Sequence, residues 1–444
     1  PLLRKDSSTI EILDRTSITS TLIEPPELGD QEETLFEKIK ALMLKFSEWI
    51  DFLSSFIPFV NRDKRNGRAT TLSKILRDNF EKNKLKIFIG TWNMHGKLPP
   101  NGLSPFIDFP NYAESDIKNR HYLKKNSKHP YHILVIGTQE CQHNIKHSVL
   151  FPSKEEWEQR LKNHLGDEYV LIKTETMAAL HLAVFVWARC NDWVKGYQHD
   201  EVPTGLANLF GNKGGIGISL LFGNTSFCFI NSHLAAHQSK VKERNHDVKK
   251  ISKELKLKGF NTSDKVLPNV TDRFDYTFWF GDMNYRVNLS RERAEHLIAE
   301  KNIIELLKHD QLTSELNQFP YFKNFHEAPI DFYPTFKFDT HKSRQDRRSQ
   351  SAPDLIESME SDIFHYDSSV KQRVPSWTDR ILWKSKSDKK KVKVESYTSH
   401  MDVAFAGFSD HRPVTGCFWV DFDWNQTLKD KKKRSKRRKF IKFF

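Results

Sequence analysis

Trp279-Phe280-Gly281-Asp282-Met283-Asn284-Tyr285-Arg286 closes an apolar, strand-like run with a carboxylate and a carboxamide two residues apart. A pleated strand points side chains i and i+2 to the same side, so Asp282 and Asn284 are expected to address one reacting group together. Gly-Asp-x-Asn is also common turn chemistry after a buried strand, and the segment alone leaves both readings open.

Its company decides between them. Lys86-Ile87-Phe88-Ile89-Gly90-Thr91-Trp92-Asn93 ends in an amide, His132-Ile133-Leu134-Val135-Ile136-Gly137-Thr138-Gln139-Glu140 in a carboxylate, and Ser226-Phe227-Cys228-Phe229-Ile230-Asn231-Ser232-His233 in an imidazole. Ser409-Asp410-His411-Arg412-Pro413-Val414 reverses the order, its polar pair leading into a strand. Strand termini on a rigid sheet are where accurate sites are built. Glu140 and Asp282 follow runs apolar enough to be buried, where an unpaired charge is costly, and a bound metal gives both a reason to be there. A single His at a strand end, such as His233 or His411, reads as a satisfied core residue when taken alone.

Strands are predicted at Leu85–Asn93, Ile133–Glu140, Tyr169–Thr176, Leu182–Ala188, Gly215–Leu221, Ser226–His233, Tyr276–Asp282, Arg380–Lys384, Val392–Tyr397 and Pro413–Phe422. Helices are predicted at Lys154–Leu165, Lys240–Leu255 and Ser290–Leu307. The strand pairs at 169–188 and 215–233 read as hairpins. The order therefore predicts an α/β sandwich of two packed, mostly antiparallel sheets with flanking helices, in preference to a doubly wound parallel sheet.

The 444 residues, 38% hydrophobic, suffice for one large catalytic domain, expected at 84–424, with appendages. The sequence begins at Pro1, without a charged-then-apolar secretory pattern, and the expectation is a cytoplasmic, peripherally membrane-associated protein. Cys141, Cys190, Cys228 and Cys417 lie singly in or beside apolar runs, with no Cys-x-x-Cys pair, and read as buried thiols.

Charge is uneven. Of the net +13, the stretch Lys429–Phe444 carries +9, from ten Lys/Arg against one Asp. The 425–444 tail, with terminal Phe440, Ile441, Phe443 and Phe444, suits an anionic membrane surface at about 1 kcal/mol per basic residue. A nuclear localisation signal and a plain solvated tail are its other readings. Residues 33–60 repeat Leu35, Ile39, Leu42, Met43, Phe46, Ile50, Leu53 and Ile57 at spacings of three and four, an amphipathic helix. It either packs on the domain or a partner, or lies at a membrane interface; Lys45, Glu48, Asp51 and Pro58 argue against a span. Residues 1–32 read as unstructured and 61–83 as a basic linker.

Taken together, Thr91-Trp92-Asn93, Gln139-Glu140, Gly211-Asn212-Lys213-Gly214-Gly215, Asn231–His237, Gly281–Arg286, Pro375-Ser376-Trp377-Thr378-Asp379-Arg380 and Ser409–Val414 resemble the inositol polyphosphate 5-phosphatase family, over about three quarters of the chain and in the family's order. The resemblance implies the DNase I-like four-layered α/β sandwich. It also implies Mg2+-dependent removal of the 5-phosphate from phosphoinositides, phosphatidylinositol 4,5-bisphosphate or 3,4,5-trisphosphate, or from soluble inositol polyphosphates, by direct water attack. No Cys-x5-Arg loop for a covalent intermediate is present.

An anionic transition state and a nucleophilic water call for a divalent metal, and Mg2+ accepts one or two carboxylates with retained waters. On the family pattern Glu140 is the principal metal ligand, assisted by the amide oxygen of Asn93. Asp282 takes the proton from water and Asn284 donates to a phosphoryl oxygen. His411 contacts the scissile phosphate, oriented and kept protonated by Asp379. His233 binds phosphate or lies on the leaving-group side, and Asp410 lies near the metal.

For substrate, the resemblance points to Asn212 and Lys213 in a glycine-rich loop, with Arg244, Asn245 and Arg380 in support. Lys337 is the implied 4-phosphate contact, with Lys323 as a further candidate. Phe336 stands where tyrosine is common and Ala328 where glycine is common, and a missing hydroxyl weakens one hydrogen bond by about 0.5–1.5 kcal/mol. The flexible insertion 340–369 carries Arg347-Arg348-Ser349-Gln350-Ser351-Ala352-Pro353, either an ordinary loop or a phosphoserine site at Ser351 read by an adaptor. Lys97–Tyr131 either borders the site mouth or is a long connection. A DNase I-like or apurinic endonuclease shares several of these residues, and a catalytically silent membrane scaffold is the non-enzyme alternative; no nucleic acid is expected as partner.

Overall fold

Apolar and β-branched runs bounded by Gly, Asn and Asp become strands, and twelve of them form two six-stranded sheets in the computed structural model. The structure describes residues 82–423 apart from 100–101, 109–128, 143–153, 206–212, 261–266, 341–364, 388–390 and 402–406. The strands are β1 (Lys84–Asn93), β2 (Ile133–Gln139), β3 (Tyr169–Met177), β4 (Leu180–Trp187), β5 (Val194–Pro203), β6 (Gly214–Phe222), β7 (Thr225–His233), β8 (Tyr276–Asp282), β9 (His326–Glu327), β10 (Asp379–Ser385), β11 (Val392–Ser399) and β12 (Val414–Asp421). One sheet has the order β11-β12-β1-β2-β4-β3, the other β5-β6-β7-β8-β10-β9. Pairing is antiparallel except for β1–β2 and β7–β8 among the described residues, and the two expected hairpins are present.

Side-chain alternation builds the layers. Phe227 and Phe229 of β7 and Phe278 and Phe280 of β8 face the core between the sheets. Their neighbours Cys228, Ile230 and Trp279 face outward instead, onto Val248 and Ile251 of α3 (Val241–Glu254) and Leu312 of α6 (Gln311–Gln318). Phe418 of β12 meets Phe278 at 5.2 Å and Trp383 at 5.4 Å between ring centroids, locking sheet to sheet. Each such buried ring contributes about 1.5–3 kcal/mol. Trp157, Leu161 and Leu165 of α2 (Glu155–Leu165) cover the first sheet. Helix, sheet, sheet, helix is the four-layered α/β sandwich expected.

Two local expectations are corrected. The single helix at Ser290–Leu307 is two, α4 (Arg291–Ala299) and α5 (Ile303–Leu307), because Lys301 takes a φ of +57° between them. Ser290 caps the first and Asn302 the second, each accepting a backbone N–H three residues on. β5 escapes sequence reading because Val-Lys-Gly-Tyr-Gln-His-Asp-Glu-Val-Pro has no apolar run; it is an edge strand exposed at every other residue. A short α1 (Ser104–Ile107) precedes Asp108. Among the described residues no helix is long and apolar enough to cross a membrane. The 1–32 segment, the 33–60 helix, nearly all of 61–83, Asn212, Ser351 and the 425–444 tail lie outside the described residues.

Candidate active site

Strand register brings the chemistry to one edge. β1 and β2 end together, Asn93 opposite Gln139, and β7 and β8 end together, His233 opposite Asp282. β10 starts there, Asp379 opposite Asp282, and β12 enters with Val414 opposite Thr91, placing Asp410 and His411 just before it. Asp282 Oδ2 accepts from Asn93 Nδ2 at 3.0 Å and lies 3.1 Å from His233 Nε2 and 3.8 Å from His411 Nε2. Donors from both sheets therefore converge on one buried carboxylate.

The sheets are held in this relation by a polar seam below it. Gln139 Nε2 donates to Asn231 Oδ1 at 2.6 Å and to Thr91 Oγ1 at 3.1 Å, while Asn231 Nδ2 donates to the Thr138 carbonyl at 3.1 Å. Gly137 makes the approach possible: a Cβ there would stand 2.5 Å from the Phe280 ring and 2.8 Å from Asn231 Cγ.

Burial and charge set the protonation states. Burial opposes ionisation of Asp282, but His411, His233 and Lys213 outweigh it and hold the carboxyl well below its usual range. Burial likewise opposes a charged His411, yet Asp379 and Asp282 raise it to about 9. His411 Nδ1 lies 2.9 Å from Asp379 Oδ2, which also accepts from Thr335 Oγ1 at 2.7 Å and Thr378 Oγ1 at 2.9 Å. Desolvation pushes Asp379 up against that imidazolium; with its oxygens committed as acceptors, we assign the shared proton to His411. His233 is lowered by burial and by Lys213, which contacts its Nε2, so it is neutral. Lys213 itself is brought down to about 8, by burial against the pull of Asp282 and Glu140.

The Asp282/Asn284 pair is built differently from the strand-pleat expectation. β8 ends at Asp282, Asn284 has a φ of +57°, and its N–H donates to Asp282 Oδ1 at 3.1 Å. The turn reading and the site reading describe the same atoms. Asn284 Nδ2 donates to the Leu234 carbonyl at 3.0 Å, while its Oδ1 accepts from Arg286. An amide carries two N–H groups, so Asn284 can offer the second to a ligand.

Glu140 follows β2 with a φ of +47°, and its charge acts on His95, Lys213 and His233. Lys337 sits in the segment that threads past His411, Phe336 bridging both Ser376 and His411, with its Nζ 3.9 Å from Asp367. Four expected substrate contacts stand elsewhere. Arg244 is fully buried and donates to the carbonyls of Ala235, His237 and Gln238 and to Gln311 Oε1, bracing the loop after His233. Asn245 joins Tyr285 to Glu315. Arg380 is spent on Glu327, at 2.6 Å through two nitrogens, and Asp310 at 2.9 Å. Lys323 is exposed and precedes His326, which pairs with Trp383, about 13 Å along β10 from Asp379.

The sequence reading missed other residues here. His95 Nδ1 lies 2.9 Å from Asp410 Oδ1, holding that carboxyl down to about 2 against its burial. Nothing local in Asn93-Met94-His95-Gly96 announces a partner 315 positions away. Arg286 was part of the opening motif but given no role: its guanidinium lies 4.1 Å over the Phe336 ring, whose other neighbour is His411 at 4.6 Å. It also lines a cleft of about 90 Å³ with Gln238, Lys371, Gln372, Arg373 and Val374. Nearby His237 is lowered first by what burial it has, then by Arg373, Arg286 and Lys213, the mark of a continuous positive field.

The layered sandwich thus gathers acid, amide and imidazole groups at its strand ends. Residues 90–417 match the model of endonuclease/exonuclease/phosphatase family 2, and the chain belongs to that family. It is 33% identical over 375 residues, 82% of this chain and 33% of the relative, to phosphatidylinositol 3,4,5-trisphosphate 5-phosphatase 1 of Xenopus laevis. It is 32% identical over 350 residues, 77% of this chain and 46% of the relative, to phosphatidylinositol polyphosphate 5-phosphatase type IV of Rattus norvegicus. The chain thus spans a third to a half of these relatives. A solved 5-phosphatase domain of a synaptojanin, in complex with inositol (1,4)-bisphosphate and calcium ion, matches with a TM-score of 0.58, 25% identity and coverage of 84% of this chain and 99% of that one. A Cimex nitrophorin, solved as a ferrous NO complex, shares the fold at a TM-score of 0.52 and 21% identity, covering 77% of this chain and 99% of its own.

Proposed function

We propose that the chain is a divalent-cation-dependent phosphomonoesterase that removes the 5-phosphate from phosphoinositides or soluble inositol polyphosphates by direct attack of water. The observation that carries this is the convergence of Asn93, His233 and His411 on Asp282, beside Lys213, Lys337 and Arg286. Inositol-phosphate relatives at about a third identity, and a solved relative holding an inositol bisphosphate with a divalent ion, support the substrate class.

The residues fit a hard cation. Glu140 and the Asn93 amide oxygen are oxygen donors, as Mg2+ requires, and the Asn93 oxygen is oriented by the His95 N–H at 3.1 Å. Asp282, Asp379 and His411 also lie close enough to hold a metal, but a His411 that carries a proton on each nitrogen is no ligand. Mg2+ held by Glu140 and Asn93 would neutralise phosphoryl charge and lower the pKa of bound water.

The protein groups do the rest. His411 donates through Nε2 to an oxygen of the scissile phosphate, Asp379 holding the other nitrogen. Asn284 donates its second amide N–H to the same group, and neutral His233 receives a further oxygen with Lys213. Asp282, as surrounded, is held below the usual carboxylate range and is a weaker base than an ordinary Asp. A phosphate dianion that claims His411 and Lys213 withdraws the charges that keep it so, and the base becomes competent only once substrate is seated. Lys337, with Arg373 and Lys371 of the adjoining cleft, receives a neighbouring phosphate, which favours 4,5-bisphosphates.

Peripheral membrane attachment through the 33–60 helix and the 429–444 tail, and an adaptor reading Ser351, complete the proposal, with 84–424 as the catalytic domain. Phosphate release is measured from vesicle-borne and soluble 4,5-bisphosphates and from abasic DNA, with and without Mg2+. Mg2+-dependent release from an inositol substrate is expected; activity confined to abasic DNA, or none, overturns the reading in favour of the endonuclease or the silent scaffold.

A further inference from the structure

A second set of metal-type side chains lies away from the strand-end site. Asp108 follows α1, His129 precedes β2, and His164 lies in the last turn of α2. Asp108 Oδ1 is 2.7 Å from His164 Nε2 and 3.6 Å from His129 Nδ1, and the imidazole centroids are 5.2 Å apart. One donor atom from each lies within 4.8 Å of the others. His129 is 2% exposed, while the side chains of Asp108 and His164 keep 23% and 13%, leaving one side open to water.

A tetrahedral ion bound at about 2.0–2.1 Å separates its ligand atoms by about 3.3 Å, and the two measured edges bracket that value. His164 Nε2 is within hydrogen-bond reach of Asp108 Oδ1, and His129 Nδ1 stands at ion-pair range of the same oxygen, so both imidazoles already face one carboxylate oxygen. The supports are those of a built site. Tyr169 Oη lies 2.6 Å from the His129 carbonyl and 2.7 Å from that of Tyr131, its one O–H shared between them, and Ser104 hydrogen-bonds the Asp108 side chain.

We propose that Asp108, His129 and His164 bind a transition-metal dication of the Zn2+ class, with water as fourth ligand, cross-linking α1, α2 and the entry to β2. Two imidazoles and one carboxylate select Zn2+ over Mg2+ or Ca2+, which want oxygen throughout. The strand-end site, made of oxygen donors, has the opposite preference, so the two are separable by choice of ion.

The test uses the full chain, stripped with EDTA, supplied with excess Mg2+ and titrated with Co2+ as spectroscopic probe. One equivalent should develop visible d–d bands, Zn2+ should displace it, and Zn2+ should raise Tm by several degrees. His164→Gln and, separately, Asp108→Asn should weaken Co2+ binding at least tenfold and remove the Tm response, with Mg2+-supported phosphate release unchanged. Should His164→Gln fold poorly, His129→Gln replaces it. Absence of the bands, bands unaltered in these variants, or a Tm that responds to pH but not to Zn2+ would overturn the site.

Discussion

Replacing Asp379 by asparagine keeps shape and removes the charge that holds a proton on His411. Asp379 exerts the largest upward pull on His411, ahead of Asp282, and opposes a burial that alone would drive the imidazole below 6.5. At pH 7.5 a group with pKa about 9 is about 97% protonated, whereas one at about 6.5 is only about 9% protonated. Asp379→Asn should therefore lower kcat at least tenfold at pH 7.5, most of it recovered near pH 6. Its alkaline limb should move down by more than two pH units. Wild type should lose activity as pH rises through about 9. The same proton is linked to stability: the folded pKa lies above the unfolded value, so the contribution is complete below about 6.5 and is lost as pH rises through about 9. Its ceiling is on the order of 3 kcal/mol. The assay is a pH–rate profile on a soluble 4,5-bisphosphate, with the His411 ring shift followed by NMR and urea unfolding at pH 6 and pH 9.5. A loss of equal size at every pH from 6 to 9 would show that Asp379 only orients the ring, and would refute the charge argument.

Asp282→Ala should reduce kcat by about 10²–10⁴ in the folded protein, since the base is lost; a mild effect returns the motif to being a turn. Lys337→Ala should raise KM for a 4,5-bisphosphate several-fold while sparing a substrate that lacks the 4-phosphate, and equal effects on both would remove Lys337 from that role. Arg380→Met should cost about 3–5 kcal/mol in denaturant unfolding by stranding Glu327 and Asp310, with KM unchanged in whatever protein remains folded. A chain ended at Asp423 should lose turnover on anionic vesicles at physiological salt but keep it on soluble substrate; unchanged lipid turnover rejects a membrane role for the tail.

Strand-end logic was legible because it is periodic. Asn93, Glu140, His233, Asp282 and His411 each follow or precede an apolar run, and parallel β1–β2 and β7–β8 place the ends of those runs side by side. Two-sheet packing was legible from the order of the strands and from the hairpins at 169–188 and 215–233. What did not show was commitment. Arg244 and Arg380 sit in the right motifs, but only the fold reveals that their guanidinium groups are consumed by carbonyls and carboxylates, where a fully buried cation must be. His95 failed in the other direction, its partner Asp410 being set by the meeting of β1 with β12 and by no local pattern. β5 was invisible because an edge strand needs no apolar run.

The nitrophorin match sharpens where function resides. A sandwich shared by a nitrophorin and a 5-phosphatase domain cannot carry the activity in its layers, which leaves it to what holds charge at the strand ends. Here the fold contributes one thing the side chains cannot: a fixed distance between the two sheets. Asn93 belongs to one sheet and Asp282 to the other, and their 3.0 Å contact exists only while the seam of Thr91, Gln139 and Asn231 holds. Gly137 lies at that seam, with Phe280 and Asn231 already where a methyl group would stand. Widening it by one carbon would separate the amide from the carboxylate without touching either, and a misplacement of about 1 Å can cost about a hundredfold in rate. The residues that name the chemistry and the residues that permit it are therefore different sets, and the second is found only by asking what keeps two sheets of unrelated register in hydrogen-bond reach.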